Sequence, residues 1–241
     1  MDRSAPPRPD LTRCAVAEAV GTGLLVAVVV GSGILAQELS PDEKGLQLLA
    51  NSTATVLGLL ALILTFGPVS GAHFNPVVTL SERLLGKFTT RRAGVYMAAQ
   101  VAGGCAGTIV ANLMFDLPAV QWSATSRSGG GLWLGEVVAT FGLLTVIFGV
   151  VRSGRLNAVP VAVAGYIGAA YWFTSSTSFA NPAVTVARSL TDTFAGIRPT
   201  SVPVFVLAQL TGGMIAVMLA LFLDSSLVEQ ADKVVVPHDT E

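Results

Sequence analysis

The chain carries one short phrase twice: His73-Phe74-Asn75-Pro76-Val77-Val78-Thr79-Leu80 and Phe179-Ala180-Asn181-Pro182-Ala183-Val184-Thr185-Val186. Each copy lies between long apolar stretches, which marks an internal duplication in a membrane protein. Asn followed by Pro is a sound helix start. The side-chain oxygen caps the first free backbone N–H groups, and Pro76 or Pro182 fits the first helical position. The carboxamide NH2 stays free to donate. The segments 75–85 and 181–190 are too short to cross a bilayer alone. Each reaches roughly 15 Å at about 1.5 Å per residue, so two placed end to end fill one hydrocarbon core of about 30 Å. Two such starts in matching halves of a repeat predict half-helices that meet inside the membrane around a permeation path.

Composition agrees. Charged residues are 12% and hydrophobic residues 52% of 241, with a mean hydropathy of +0.67, far from the balance of a soluble domain. A net charge of −1 offers nucleic acid no attraction. Cys14 and Cys105 are far apart, have no metal-ligand spacing, and read as small packing residues. The opening residues bear Pro and Arg, and the first apolar run is long enough to span, so it reads as a retained helix rather than a cleaved signal.

Full-length helices are expected at about 13–37, 47–67, 91–115, 130–151, 157–174 and 201–224. The fold class is thus an all-α membrane protein of six spans plus two half-helices, with a channel domain over 13–224. Repeat one covers about 13–115 and repeat two about 130–224, between polar tails at 1–12 and 225–241. Glu18 and Gln100 in the first half answer Glu136 and Gln209 in the second. Three spans per half invert the second repeat, so the half-helices enter from opposite faces. With the N-terminus inside, Arg3, Arg8, Arg13, Arg83, Lys87, Arg91, Arg92, Arg152, Arg155 and Lys233 fall on the cytoplasmic side. Lys44, Arg127, Arg188 and Arg198 fall outside. This bias predicts two cytoplasmic termini in the cell membrane. Gly103, Gly104, Gly107, Gly212 and Gly213 are positioned to let helices approach closely.

The ordered set Ala17-Glu18-Ala19-Val20-Gly21-Thr22, Ser70 to Thr79, Ala99-Gln100, Glu136, Asn181-Pro182-Ala183 and Ala208-Gln209 resembles the aquaporin, or major intrinsic protein, family from Ala17 to about Leu223. The resemblance implies an hourglass pore in each protomer, usually within a homotetramer, and passive conduction of water or small uncharged solutes, with no cofactor or metal. Asn75 and Asn181 would then donate to passing molecules while the half-helix dipoles repel cations. His73 would line the cytoplasmic arm. Glu18 and Glu136 would accept backbone N–H groups of the half-helix loops; the competing reading is a proton relay in a coupled transporter. No nucleophile–base pair, metal cluster or phosphate loop suggests an enzyme.

The sequence departs from the family at the filter. An Arg usually follows the second Asn-Pro-Ala, but here that place is Val184, which removes a fixed charge and several donors. Counting back from each Asn puts Thr55, Ala169 and Ser178 at the other constriction places. None is large, aromatic or imidazole, so the expected filter is wider and less polar than that of a strict water pore. Arg188, one turn further along, either turns into the outer vestibule or pairs with Asp192; Arg127 in the outer segment 116–130 is a second substitute. An open filter suits glycerol-like solutes. The run from Asn181 to Ile197 resembles a bacterial branch that includes channels linked to arsenic resistance, which implies neutral metalloid hydroxides such as arsenite among the solutes. A water-selective pore is the nearest alternative.

Overall fold

The computed structural model describes residues 9–86 and 88–223. The tail expectations at 1–8 and 224–241, including Arg3, Arg8 and Lys233, and the position of Lys87 lie outside the described residues. Among the described residues eight α-helices follow in order: α1 (Leu11–Leu39), α2 (Lys44–Ser70), α3 (Pro76–Leu84), α4 (Thr90–Met114), α5 (Gly130–Arg152), α6 (Val159–Phe173), α7 (Pro182–Ala187) and α8 (Val202–Leu223). A 3-10 turn at Leu156–Ala158 leads into α6, another at Arg188–Leu190 extends α7, and a third at Pro199–Ser201 precedes α8. Six of these elements are long and apolar enough to cross a membrane, and α3 and α7 are not.

Local chemistry sets the ends. Asp10 caps α1 by accepting from Arg13 N at 2.8 Å, and Thr89 caps α4 by accepting from Arg92 N at 3.2 Å. Asn75 and Asn181 cap α3 and α7, each with Pro next in line. Pro68 falls in the last turn of α2, which stops at Gly71 in the left-handed conformation, φ 86°.

The two halves pack alike: α1 lies on α4 and α2, α5 lies on α8 and α6, and α2 meets α6 across the halves. Each half-helix touches both α4 and α8: α7 packs mainly on α4 of the other half, and α3 lies between α4 and α8. Glycine permits the closest approaches. A Cβ at Gly103 would collide with the Ala19 carbonyl oxygen, and one at Gly212 with that of Val137. In lipid no water is released when apolar helices meet, so such backbone contact supplies much of the attraction. The main core runs from Val26 and Val30 through Phe74 and Ala111 to Leu144, Ala164 and Ala216.

Candidate functional site

Each half-helix is entered through a bent loop held by a buried carboxylate. In the first, Glu18 Oε1 accepts from Ser70 Oγ (2.6 Å) and His73 N (2.9 Å), while Oε2 accepts from Phe74 N (2.7 Å) and Gln100 Nε2 (2.7 Å). In the second, Glu136 accepts from Phe179 N and Ala180 N, both at 2.9 Å, and from Gln209 Nε2. Both carboxylates are fully buried and neither borders the cavity described below. A charge taken out of water is tolerated when its lone pairs are met by directed donors. The glutamines close the frame by donating also to Thr79 Oγ1 (2.9 Å) and Thr185 Oγ1 (2.8 Å).

The loops cross-link at their tips. Asn75 Nδ2 donates to Ala180 O at 2.8 Å, and Asn181 Nδ2 donates to Phe74 O at 2.7 Å. Each oxygen caps its own half-helix: Asn75 Oδ1 accepts from Val77 N at 2.9 Å, and Asn181 Oδ1 from Ala183 N at 3.0 Å and Val184 N at 3.2 Å. A carboxamide has two N–H bonds. Both asparagines border the cavity, so one N–H locks the loops while the other is available to a molecule beside them.

That cavity runs alongside the crossing point. Its wall includes Leu25 and Val29 of α1, Thr55, Leu59 and Ile63 of α2, Leu143 and Ile147 of α5, and Val159, Val163, Ile167 and Tyr171 of α6. The α6 residues alone extend over about 18 Å of helix. Polar groups gather on the loop side, at His73, Asn75, Ser178 and Asn181, and at the Thr55 end. The interior volume is about 70 Å³, room for about five waters in a row. His73 contacts Thr79 Oγ1 through Nδ1 at 3.0 Å and packs between Phe88 and Tyr96, with ring centroids 5.4 Å away in each case.

Of the residues read from sequence, Asn75, Asn181, Val184, Thr55, Ser178, His73 and Arg188 border the cavity, and Ala169 does not. Ala169 is exposed on the far side of α6. The cavity-facing stripe is Val159, Val163, Ile167 and Tyr171, spaced by four, and Ala169 sits two places from Tyr171, about 200° around the helix. Counting back from Asn181 thus lands on the face of α6 turned away from the cavity. The four-residue spacing of α6 was the signal that could have found Tyr171.

This changes the constriction. Tyr171 OH lies 3.2 Å from Thr55 Oγ1, whose proton goes to Asn51 O at 2.8 Å, so the phenol donates to the threonine across the cavity mouth. The cavity wall at this point therefore contains an aromatic ring and a hydroxyl pair. Arg188 is also inside. It is 2% exposed, donates Nε to Ala195 O, and lays its guanidinium 3.5 Å over the centre of the Phe179 ring. The alternative pairing with Asp192 does not form: Asp192 is exposed, with Oδ1 accepting from Ala124 N at 2.8 Å, while Arg188 is turned inward to Ala195 and Phe179. Arg127 turns inward too, to Gly196 O (2.8 Å) and Phe194 O (3.3 Å), where it ties the segment between α4 and α5 to the one after α7 rather than bordering the cavity.

Residues 7–171 match the sequence profile described as Major intrinsic protein, a span that includes the first Asn-Pro and stops short of the second. Aquaglyceroporin AqpS of Rhizobium meliloti (strain 1021) is 55% identical over 214 residues, covering 89% of this chain and 91% of the relative. Aquaporin NIP2-2 of Zea mays is 30% identical over 197 residues, covering 78% of this chain and 65% of that one. The X-ray structure of the aquaglyceroporin from Plasmodium falciparum superposes with a TM-score of 0.70 at 23% identity, covering 91% of this chain and 99% of the other, and thus shares the fold. Six apolar spans in such a company make this a multi-pass membrane protein. A duplicated carboxylate–glutamine frame, two asparagines locked tip to tip, and a profile match over most of the length together place the chain in the major intrinsic protein family.

Proposed function

We propose that the protein is a passive channel for small uncharged polar solutes, water and glycerol-like molecules, through the cavity beside Asn75 and Asn181. The reciprocal carboxamides carry this reading: each is held by its own half-helix and by the opposite loop, and each faces the cavity with an N–H to donate. A hydroxylated solute recovers part of its lost hydration from those donors, while its carbon side meets Leu143, Ile147 and Val163. An ion is not repaid by such a wall. Val184 at the usual Arg place leaves room for solutes larger than water, and the aquaglyceroporin name borne by the Rhizobium meliloti relative supports the same class. Metalloid hydroxides such as arsenite are compact neutral polyols of this kind.

Arg188 at the vestibule and the Thr55–Tyr171 pair form the outer constriction in this reading, with Glu18, Glu136, Pro76 and Pro182 supporting the loops. The channel unit covers 13–224, tails 1–12 and 225–241 are cytoplasmic, the protein sits in the cell (inner) membrane, and protomers associate as a homotetramer. A coupled transporter would need a carboxylate that exchanges protons with the path, and every oxygen of Glu18 and Glu136 already accepts from a loop or glutamine donor. Proteoliposome swelling in water, glycerol and arsenite gradients tests the proposal. Flux of all three above bare lipid, independent of proton and sodium gradients, is expected, and Val184→Arg should suppress glycerol and arsenite more than water. Accumulation against a gradient, or unchanged passage of the larger solutes in Val184→Arg, would overturn it.

A further inference from the structure

The outer end of the cavity holds a buried guanidinium and a buried hydroxyl whose donors are not all used within the protein. Arg188 is 2% exposed. Its Nε is taken by Ala195 O, which leaves the terminal Nη groups of a cavity-bordering guanidinium for whatever enters. On the same wall the Ser178 hydroxyl is buried, 3% exposed, and has no hydrogen-bond partner. A second guanidinium stands behind, with Arg127 4.9 Å from the centre of the Phe179 ring that Arg188 covers at 3.5 Å. Among the described residues, neither cation has a carboxylate at ion-pair distance. Asp192 is turned to Ala124 N, and Glu136 is engaged by its loop and by Gln209. These like charges, Arg188 buried and Arg127 partly buried, are offset by carbonyl dipoles, by the Phe179 ring between them and by the single Glu136 carboxylate acting on both, so the pair is left one negative charge short and favours an added anion.

The chemistry of that anion can be narrowed. A guanidinium offers its N–H bonds as a planar fork that matches two oxygens of a planar oxyanion. The cavity is narrow, with about 70 Å³ open to water-sized molecules, which suits an ion of nitrate or formate size. Deeper in, the donors are few beyond the N–H groups of Asn75 and Asn181, and Ile147, Val163 and Ile167 replace none of the ion's hydration, so it lodges at the mouth and does not cross. We propose that Arg188 and Ser178 form an outer recess that binds a small planar monovalent oxyanion, in competition with neutral solutes for the channel mouth. The competition rests on the channel reading above; the binding does not.

The probe is sodium nitrate, with sodium chloride at equal ionic strength as reference, on the full chain. In proteoliposomes, external nitrate should slow glycerol flux relative to chloride. The nitrate concentration for half-inhibition should rise about tenfold in Arg188→Gln, which keeps a donor and loses the charged fork, and less in Ser178→Ala. Each variant is scored against its own flux in chloride. Equal flux in the two salts, or inhibition that survives Arg188→Gln, would overturn the proposal. On detergent-purified protein, phenylglyoxal labelling of the Arg188 peptide should be slowed by nitrate and not by chloride. An Arg188 that is unreactive, or equally reactive in both salts, would overturn it as well. Vesicles that pass no glycerol would refute the channel reading alone, and the labelling would then decide the anion site.

Discussion

The loop ahead of α3 and the loop ahead of α7 bend alike. Gly71, Ala72 and Phe74 in one, and Thr177, Ser178 and Ala180 in the other, all take positive φ, from 47° to 86°. Five of these six are not glycine, a strained arrangement that persists only where the surroundings dictate it. Glu18 and Glu136 do so, by gathering the N–H groups that the bends turn inward. Even buried hydroxyls without partners recur, at Thr22 and Thr140, one turn past each Glu. What the loops present to the cavity differs. His73 in the first stands where Phe179 stands in the second, Ala72 where Ser178 does, and at the far end of each half-helix buried Glu82, away from the cavity, answers buried Arg188, which borders it. The frame is duplicated because any backbone bent this way needs the same donors met. The cavity-facing positions, which the frame does not constrain, have diverged in polarity and charge.

The strongest way to break this comparison is to remove a carboxylate. Glu18→Leu strands four donors and Glu136→Leu three, at about 1–3 kcal/mol for each buried donor left unmet. Both should lose several kcal/mol in thermal unfolding of the detergent-solubilised protein, Glu18→Leu the more. A larger loss in the second half would show that the extra Ser70 bond carries nothing. Next come the packing glycines. Gly103→Ala and Gly212→Ala each push a methyl group into a facing carbonyl and should cost about 1–3 kcal/mol, alike in the two halves. Gly94→Ala, in open space on α4, should not destabilise.

Smaller effects separate the asparagines. Asn181 caps two N–H groups and Asn75 one, so Asn181→Ala should cost more of the roughly 0.5–2 kcal/mol that a lost cap is worth. Glycerol flux should fall in both, since each also loses a cross-loop bond. Smallest is Tyr171→Phe, which deletes the contact with Thr55 for about 1 kcal/mol or less. In swelling assays it should favour larger solutes over water, and an unchanged solute ratio would mean that the hydroxyl pair does not set the constriction.

Much of this was legible in the sequence because the features are periodic or local. The apolar runs gave six spans to within a few residues, and the Asn-Pro starts gave both half-helices, since a cap and a fixed proline φ act over three or four residues. The filter was harder to read. Ala169 was reached by counting through a loop, and a shift of two residues at a helix end turns one face into the opposite one. Whether Arg188 faced Asp192 or the cavity depended on Ala195 and Phe179 drawing the guanidinium inward while Ala124, distant in sequence, met Asp192. No local pattern encodes such a competition.

The central claim is that solutes pass along the wall shared by Thr55, Tyr171 and Val184. Single cysteines test it most directly: Val184→Cys, Thr55→Cys and Ala169→Cys, each in a Cys105→Ser background because Cys105 is partly exposed, treated with a small thiol-reactive reagent while glycerol flux is followed in proteoliposomes. The account predicts that labelling at 184 or 55 blocks flux and labelling at 169, on the outer face of α6, leaves it intact. Block from 169 with free passage past labelled 184 and 55 would contradict it.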